Sequence, residues 1–465
     1  MKSRLSLLLT ILVISAMLLG GCRRVVVTDS SYIDEESYYY LDVEVTNDGT
    51  NSTTGGRASS NTTTTRKGAT TTAKKLEETD IKGIPAKLNN PKITLMSWYD
   101  PGSEDKTTPF YWAVQKYQEL YGKNTVYLVL TASADGYKEK VTAALAGGDT
   151  PELLEVKTHW MPSFAIENIL QPVDGKIDYK SLHYQGLVEA VSWNGKHYVG
   201  CPNGMWSHVI WYNETLFKKY NVKTPKEYYK EGKWTWDNFV KAARDMTFDD
   251  IWGFSTDALD TLVRSQKTGF VTKNNDGTMT ITWKKPEVLR ALQVTHDMIY
   301  KYKCWNPDLT YTSLNFKKQK LAMSSGVIGF KENYAKGMTD TISCVPLPKP
   351  TENSEHYGGA YGIFWGIGKG CDNLDGAIAF LKILAQYEDK NYGNRTPLEQ
   401  SLTEEELNIT RSISEKSGVM VHLSLSSWDP YEFWKEFSTS NKPVATLLDT
   451  YEPIVQKAIG ELYKQ

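Results

Sequence analysis

The stretch that decides the fold begins Trp193-Asn194-Gly195-Lys196-His197-Tyr198-Val199-Gly200-Cys201-Pro202 and runs to Asp245. Asn194-Gly195 is a tight-turn dipeptide, and Val209-Ile210-Trp211-Tyr212 is an apolar run typical of a β-strand. Thr235 can cap the amino end of a helix, because apolar side chains follow it at helical spacing. The stretch therefore predicts a strand, a crossing, a second strand and two helices.

The chain before this stretch predicts a β-α-β-α-β unit. Residues 91–99 alternate apolar and polar side chains as a first strand does, and Thr108-Pro109 is a helix start. Val126–Leu130 is a continuous apolar run, which is typical of a parallel strand covered on both faces. A helix from Tyr137 then leads through a Gly-Gly break to a third strand at residues 152–156. This order predicts right-handed crossovers and a doubly wound sheet.

The motifs of residues 91–384 together resemble the bacterial extracellular solute-binding proteins of ABC transporters, in the sugar-binding (family 1) group. Asn194-Gly195-Lys196 to Pro202 is similar to the run that crosses between the lobes in that family. Phe316 to Gly326, Val345-Pro346-Leu347-Pro348 and Gly358-Gly359-Ala360-Tyr361 are similar to its later strands. Two departures are the polar insert Lys226–Lys233, between Pro225 and Trp234, and Gln319 in place of a glycine.

The resemblance implies a two-lobed α/β fold of the periplasmic-binding-protein type II, with a doubly wound sheet in each lobe and a hinge between them. The expected division of the chain is a signal peptide at 1–21, a lipidated cysteine and disordered linker at 22–90, lobe 1 at 91–204 and 313–386, and lobe 2 at 205–312 and 387–465. A chain of 465 residues is long enough for two such bodies.

The sequence of the amino terminus predicts a secretion signal and a membrane anchor. Lys2 and Arg4 precede an apolar run, Leu5–Leu19, that is short for a membrane span, and Leu19-Gly20-Gly21-Cys22 resembles a lipobox. Cys22 is the expected site of lipid attachment, and an uncleaved anchor helix is the alternative. From Arg23 to about Asn90 we expect no stable fold, because Thr46–Lys75 contains no Leu, Ile, Val or aromatic residue. A flexible linker of about 68 residues would reach about 45 Å.

Composition narrows the classes of partner. The net charge of −2 disfavours nucleic acid, and an aromatic fraction of 12%, with 14 Trp and 28 Tyr, favours binding of sugar rings as well as ordinary core packing. Only five arginines follow the linker, none at a predicted strand end, which disfavours a multiply charged anionic ligand. Cys201, Cys304, Cys344 and Cys371 have no metal-site or framework spacing, so both disulfides and free buried thiols remain open.

Ligands of open α/β sheets bind beyond the carboxyl ends of the strands. The resemblance extends this rule to two facing lobes. The predicted ligand-binding residues are therefore those that follow strands, together with a tail aromatic: Trp98, Tyr99, Asp100, Asp135, His159, Trp160, Asn203, Trp206, Phe330, Glu332, Tyr361 and Trp428. Aromatic faces suit the C–H surface of a sugar, and carboxylate, amide and imidazole groups suit its hydroxyls.

The function that these residues favour is the substrate-binding receptor of an ABC importer. We expect a carbohydrate ligand, more specifically an oligosaccharide, permease subunits as partners, a lipid anchor on the outer face of the cell membrane, and a monomer. A receptor for peptides or another small polar solute is the alternative. An extracellular glycan-degrading enzyme is the second alternative, but the sequence has no nucleophile elbow, His-Glu-x-x-His or phosphate loop. No catalytic residue, metal site or cofactor is expected.

Overall fold

The computed structural model describes residues 23–26 and 81–463, except positions 132, 135, 179–187, 189–190, 257, 267, 275, 309–311, 328, 332–334, 392–398 and 417–429. Side chains are further left undescribed at 23–26, 159, 162, 202–207, 312–313, 360–361 and 414–416. The predicted signal peptide, Cys22 and residues 27–80 of the predicted linker lie outside the described residues.

The described strands are β1 (Arg23–Val26), β2 (Ile93–Ser97), β3 (Val126–Leu130), β4 (Leu153–Lys157), β5 (Leu170–Gln171), β6 (Val199–Ser207), β7 (Val209–Asn213), β8 (Trp252–Ser255), β9 (Val271–Lys273), β10 (Met279–Ile281), β11 (Trp305–Asn306), β12 (Leu321–Gly326), β13 (Ile342–Pro346) and β14 (Ala360–Gly368).

The described helices are α1 (Pro109–Tyr121), α2 (Tyr137–Ala146), α3 (Met161–Ile166), α4 (Glu214–Lys219), α5 (Pro225–Lys230), α6 (Trp236–Asp245), α7 (Thr261–Arg264), α8 (Pro286–His296), α9 (Thr312–Lys317), α10 (Leu374–Asn391), α11 (Glu404–Lys416), α12 (Tyr431–Thr439) and α13 (Val444–Leu462). Short 3-10 and π segments at Thr158–Trp160 and Asp297–Lys301 complete the helical structure.

The first lobe is built on a seven-stranded sheet. Its order is β1-β3-β2-β4-β14-β5, and β6 also pairs with β14. β1, β3, β2 and β4 are mutually parallel, whereas β14 runs antiparallel to β4, β5 and β6. The parallel core confirms the predicted β-α-β-α-β unit, and α1 and α10 pack together against it.

The second lobe is built on a five-stranded sheet with the order β11-β8-β12-β7-β13. β8, β11 and β12 are parallel, and β7 runs antiparallel to both β12 and β13. A separate hairpin of β9 and β10 contacts α13. The predicted fold class, two lobes of mixed α/β structure, is confirmed.

Helix starts follow the local sequence. The Thr108 side chain accepts a hydrogen bond from the Tyr111 backbone N–H, with Pro109 at the first turn of α1. Thr235 caps α6 in the same way through the Asn238 N–H. Such caps satisfy backbone donors that the first turn of a helix leaves without partners. Both helix starts were predicted from sequence and are confirmed.

The predicted lobe boundaries need correction at the return crossing. Residues 313–386 were assigned to lobe 1, but β12 pairs with β7 and β8, and β13 pairs with β7, so both strands belong to the second sheet. The chain returns to the first sheet only between Pro346 and Ala360. The boundary at 386/387 also falls inside α10, which is one continuous helix. Sequence patterns identified these strands, but the pattern of one strand does not determine which strand it pairs with.

The predicted linker is wrong at both of its ends. Arg23–Val26 forms β1, which pairs in parallel with β3, and the β-branched Val25 and Val26 suit that conformation. At the other end Leu88 is buried in the core of the first lobe, and the Lys382 ammonium donates to the Gly83 carbonyl at 2.9 Å. The folded part of the chain therefore begins earlier than the composition alone predicted.

The two sheets adjoin at their carboxyl edges. β6 ends at Ser207, opposite Ala360 at the start of β14, and the chain passes through His208 directly into β7. In the second sheet, Val209 at the start of β7 lies beside Gly326 and Pro346, which end β12 and β13. Both crossings between the lobes therefore leave and enter at the edges where the parallel strands end.

Candidate functional site

The candidate site lies where the parallel strands of the first sheet end. Ser97 ends β2 and is followed by Trp98-Tyr99-Asp100, and Lys157 ends β4 and is followed by the turn at Thr158–Trp160. Because β2 and β4 are neighbouring strands, Trp98 and Trp160 meet with ring centroids 5.0 Å apart and planes at 72°. The structure thus brings together two residues that were predicted from separate strand ends.

These two indoles belong to a larger aromatic cluster, which we define as Trp98, Tyr99, Tyr137, Trp160 and Phe164. Trp160 stacks on Tyr137 at 5.4 Å and on Phe164 at 5.8 Å, and Trp98 packs against Tyr99 at 5.5 Å and edge-on against Tyr137 at 5.3 Å. Trp98 is only 6% exposed, whereas Tyr99 and Trp160 are partly exposed. The rings that another molecule could reach in this conformation are therefore those of Tyr99 and Trp160.

Trp98 has one polar atom without a partner. Its indole Nε1 is buried and makes no hydrogen bond within the described part of the chain. A buried donor that is left unsatisfied costs about 1–3 kcal/mol.

A buried charged pair supports the aromatic cluster from within β4. The Lys157 ammonium, in a side chain only 3% exposed, lies 5.3 Å from the Trp98 ring centroid and 4.8 Å from that of Trp160. Ammonium groups are attracted to the faces of aromatic rings. Two residues earlier Glu155 is fully buried, and it accepts hydrogen bonds from the Ser97 hydroxyl and, at 3.0 Å, from the Tyr99 hydroxyl.

The buried charge affects a neighbouring tyrosine. Burial, followed by the negative charge of Glu155, raises the pKa of Tyr137 well above its ordinary value. Tyr137 therefore stays neutral, and its hydroxyl donates to the Met96 carbonyl at 2.8 Å. This bond ties α2 to β2 beneath the cluster.

Asp100 shapes the loop that follows β2. Its carboxylate accepts from the Gly102 N–H at 3.0 Å, from the Ser103 N–H at 2.7 Å and from the Ser103 hydroxyl at 2.9 Å. Asp100 is partly exposed. These bonds give it a structural role, and its predicted contact with a ligand stays a prediction.

The other predicted site residues are placed differently or lie outside the description. Phe330 is 1% exposed and stacks on Trp211 at 5.7 Å, within the core of the second sheet. Asn203 and Trp206 lie on β6, Tyr361 lies on β14 opposite Trp206, and His159 lies in the turn after β4, in each case without described side chains. Asp135, Glu332 and Trp428 fall outside the described residues.

The sequence did contain a signal for the residues that were missed. Leu153-Leu154-Glu155-Val156-Lys157 places two charges at alternate positions in a strand that is buried on both faces. Successive side chains of a strand point to opposite faces, so Glu155 and Lys157 share one face. A charge in such a strand has to be paired or hydrogen-bonded, and that requirement identifies a site.

The facing edge of the second lobe carries hydroxyl groups. The Thr261 hydroxyl donates to Ser325 Oγ at 2.9 Å, and the Ser255 hydroxyl donates to the Asn306 carbonyl at 3.1 Å. These residues end β8, β11 and β12 or follow them. This edge of the second lobe is therefore polar, and these hydroxyls are held by hydrogen bonds within the lobe.

Arg264 links both crossings between the lobes. Its Nε donates to Asp260 at 2.7 Å, its Nη1 lies 3.2 Å from His208 Nδ1, and its backbone carbonyl accepts from the Gly359 N–H at 3.1 Å. His208 and Gly359 lie on the first and the second crossing. Arg264 lies on α7, a helix that follows β8, and not at a strand end.

A cavity of about 530 Å³ lies elsewhere, lined by Glu214, Lys226, Lys331, Thr341 and Glu404–Glu406 among others. It opens at the edge where β7 ends and β13 begins, opposite to the edge that carries His208. Lys226–Glu405 and Lys331–Glu406 ion pairs at 2.5 and 3.0 Å occupy it. We therefore assign the candidate site to the strand ends and not to this cavity.

A family model described as "bacterial extracellular solute-binding protein" matches residues 112–393, which is more than half of the chain. The chain belongs to the bacterial extracellular solute-binding proteins. This membership confirms the resemblance that the motifs of residues 91–384 predicted. The matched range contains β3, β4 and both crossings, and therefore most of the candidate site.

One relative of this solute-binding protein is a binding protein of Brucella abortus (strain 2308), 25% identical over 130 residues, or 28% of this chain. The match spans 31% of the length of that relative. Within the described residues of this solute-binding protein, no helix is long and apolar enough to cross a membrane. The same residues contain no group of three or more His, Cys, Asp or Glu side chains that could hold a metal ion.

Three solved structures with a similar fold serve as examples. The ABC substrate-binding protein Lmo0181 of Listeria monocytogenes, in complex with cycloalternan, has a TM-score of 0.60 at 19% identity, covering 79% of this chain and 99% of its own. The cyclic alpha-maltosyl-1,6-maltose binding protein of Arthrobacter globiformis has 0.62 at 16%, covering 80% and 99%. UgpB of Mycobacterium tuberculosis, in complex with glycerophosphocholine, has 0.61 at 13%, covering 80% and 98%. At these identities the likeness establishes the fold.

Proposed function

We propose that this protein is the substrate-binding receptor of an ABC importer, and that it captures a neutral carbohydrate, more specifically an oligosaccharide, between its lobes. Family membership supports the receptor class. The observation that carries the ligand class is the aromatic cluster at the ends of β2 and β4, where partly exposed Tyr99 and Trp160 rings stand beside buried polar groups. A sugar combines C–H faces that pack on aromatic rings with hydroxyls that need hydrogen bonds.

Structural neighbours support the same choice. The Listeria protein is in complex with cycloalternan, and the Arthrobacter protein is named for cyclic alpha-maltosyl-1,6-maltose. Ligand capture would close the lobes about the crossings at His208 and Gly359, because both crossings lie at the carboxyl edges of the sheets. Closure would present the state that a permease recognises.

A small polar solute is the second candidate ligand. UgpB shares the fold and holds glycerophosphocholine, a zwitterion without a sugar ring. The buried ammonium of Lys157 beside two indoles could serve such a ligand by a direct charge contact. The aromatic cluster would then act through one ring and not as a platform for several sugar units.

An enzymatic role is less well supported. Hydrolysis of a glycoside needs two carboxyl groups about 5–9.5 Å apart across the bond. Of the described carboxylates at these strand ends, Asp100 accepts three hydrogen bonds within its loop, and Glu155 is buried against two hydroxyls. Both act as fixed acceptors, which suits binding.

The proposed location is the extracytoplasmic face of the cell membrane, with Cys22 lipid-modified and the receptor monomeric. Two acyl chains on one cysteine are sufficient for stable attachment. Replacement of Cys22 by Ser should release the protein from the membrane fraction into the soluble fraction. Retention of the Cys22→Ser protein in membranes would favour the uncleaved anchor helix.

The experiment that tests the ligand class is thermal unfolding of the purified protein against a panel of neutral oligosaccharides, monosaccharides, peptides, amino acids and glycerophosphocholine. A ligand that binds only the folded state raises Tm by an amount that grows with its concentration. The proposal expects the largest rise with a neutral oligosaccharide that stays intact during incubation. A rise confined to peptides or glycerophosphocholine would overturn the carbohydrate proposal, and cleavage of the glycan would revive the enzyme.

A further inference from the structure

We propose that Glu155 is a positioning residue of the ligand site, which orients the Tyr99 phenol so that it accepts a hydrogen bond from the ligand. The inference rests on the proposed function and narrows the ligand to molecules rich in hydroxyl donors. Glu155 was not among the residues predicted from sequence.

The geometry around Glu155 carries the proposal. Its side chain is fully buried at the third position of β4, and its two carboxylate oxygens receive different hydroxyls. Oε1 accepts from the Tyr99 hydroxyl at 3.0 Å, and Oε2 is in contact with the Ser97 hydroxyl. Ser97 in turn accepts from the Tyr99 backbone N–H at 3.1 Å. Glu155 therefore holds both the side chain and, through Ser97, the backbone of Tyr99.

The donors and acceptors of a phenol decide whether Tyr99 donates or accepts in a hydrogen bond to a ligand. A tyrosine hydroxyl has one proton and oxygen lone pairs. The proton of Tyr99 is committed to the Glu155 carboxylate, so the phenol oxygen can offer any further group only a lone pair. That group has to be a donor, such as a sugar hydroxyl, and an ionised carboxylate cannot serve.

The charge balance of the site agrees with this direction. Glu155 and Lys157 lie on the same face of β4 and have opposite formal charges, so this strand adds no formal net charge to the site. A hydrogen bond to a charged group is roughly twice as strong as one between neutral groups, so the Glu155 carboxylate holds the phenol more firmly than a neutral partner would.

The test compares Glu155→Gln, Tyr99→Phe and the double variant by calorimetric titration with maltotetraose, cellotetraose and mannotetraose, and with tetragalacturonate as the acidic counterpart. Glu155→Gln keeps the side-chain volume but offers the Tyr99 proton a weaker, neutral acceptor. We expect each single variant to lose about tenfold or more in affinity for the neutral glycan that the wild type binds best. The double variant should lose no more than the weaker-binding single variant, because both changes remove one arrangement.

A matched control lies on the same strand. Glu152, immediately before β4, is 8% exposed and accepts from the Thr94 N–H at 2.6 Å, at the end of the strand away from the aromatic cluster. Glu152→Gln should lower Tm without changing glycan affinity. This control separates a positioning role from general destabilisation, and Glu155→Asp provides a second variant in case Glu155→Gln folds poorly.

The outcomes distinguish the two proposals. Unchanged affinity in Glu155→Gln beside a loss in Tyr99→Phe would overturn the positioning role and leave the proposed function intact. If the wild type binds none of the neutral glycans, the proposed function fails, and the near-ultraviolet circular dichroism of the ligand-free variants decides the positioning role. A Glu155→Gln spectrum identical to that of the wild type would then overturn it, whereas a changed aromatic signal, absent in Glu152→Gln, would support it.

Discussion

Gly253 shows how closely single residues are constrained in the second lobe. A Cβ atom added at Gly253 would lie 1.8 Å from the Ala243 carbonyl oxygen, so β8 and α6 approach each other at a point where only a hydrogen fits. Backbone atoms cannot move aside as the end of a long side chain can. We expect Gly253→Ala to lower the free energy of unfolding by about 3 kcal/mol, the upper end for an over-packed core.

Urea unfolding measures this cost, and Gly460→Ala is its control. Gly460 lies in α13, and an added Cβ there meets no atom within 4 Å. Alanine is favoured over glycine in helices by about 1 kcal/mol. Gly460→Ala should therefore be neutral or stabilising, and a Gly253→Ala protein as stable as the wild type would show that β8 and α6 are farther apart than described.

Glu388 predicts a dependence of stability on pH. The residue is partly exposed on α10, but its carboxyl group is buried, and burial raises its pKa to about 8. The folded state therefore holds a proton that the unfolded state releases near the ordinary glutamate pKa of 4.5. This contribution to stability is complete below pH 4.5 and is lost as the pH rises to about 8.

The measurement is the urea midpoint of the wild type and of Glu388→Gln at pH 4.5, 6, 7 and 9. Glutamine cannot ionise, so the variant should gain stability relative to the wild type as the pH rises through this range. A stability difference that does not vary with pH would contradict the raised pKa. Glu388 also affects the Cys201 thiol. Burial, followed by the charge of Glu388, raises the pKa of Cys201 well above its ordinary value.

At the same scale, the sequence predicted part of the site. Trp98 and Trp160 were predicted because they follow strands, and the structure brings them into contact. Glu155 and Lys157 were missed because they lie inside a strand, and the prediction covered only residues that follow strands. A charge inside a strand indicates a site only if it is buried. Whether a face of β4 is buried depends on the neighbouring strands β2 and β14.

Among the elements, α7 is held by a buried ion pair. Arg264 Nε lies 2.7 Å from Asp260 Oδ1, and the two side chains are 11% and 3% exposed. Removing one partner of a buried pair leaves the other charge uncompensated, at a cost of about 3–5 kcal/mol. We expect Asp260→Ala to lower the free energy of unfolding by about 3 kcal/mol or more.

The matched control is an exposed pair at the same i, i+4 spacing. Lys241 and Asp245 on α6 are 2.5 Å apart, and their side chains are 59% and 38% exposed. Exposed pairs contribute about 0–1 kcal/mol, so Asp245→Ala should have a small effect. Equal losses from Asp260→Ala and Asp245→Ala, measured by chemical denaturation, would contradict the buried role of Asp260.

Elements were predicted more reliably than their partners. Helix starts at Thr108 and Thr235 depend on side chains within one turn, so local sequence was sufficient to find them. The assignment of β12 and β13 to the first lobe was wrong because pairing is decided by contacts with β7 and β8, far away in sequence. β1 was missed because four residues beside a polar segment carry too weak a pattern, and the open edge of β3 supplies the rest.

For the whole molecule, the class of fold followed from the order of motifs. Parallel strands separated by helices allow few topologies. The resemblance of Asn194 to Pro202 to the run that crosses between the lobes of the family implied a second lobe. The four cysteines outside the predicted lipid site were left open by their spacing, and the structure forms no disulfide among them within its described part.

At the scale of the whole molecule, the ligand site is placed at the ends of β2 and β4. Both crossings bring the carboxyl edges together, and the aromatic cluster stands at that junction. If a solute binds there, its affinity has to depend on Trp98 and Trp160. Trp434 on α12 provides a control, because it is 8% exposed and its described ring contacts are with Phe270, Phe433 and Phe437 and not with the aromatic cluster.

The most direct test is the affinity of the best-bound solute from the thermal panel for the wild type and for Trp98→Ala, Trp160→Ala and Trp434→Ala, measured by calorimetry at a temperature where all four are folded. We expect Trp98→Ala and Trp160→Ala each to weaken binding at least tenfold, while Trp434→Ala loses stability but binds as the wild type does. Unchanged affinity in both Trp98→Ala and Trp160→Ala would contradict the placement of the site.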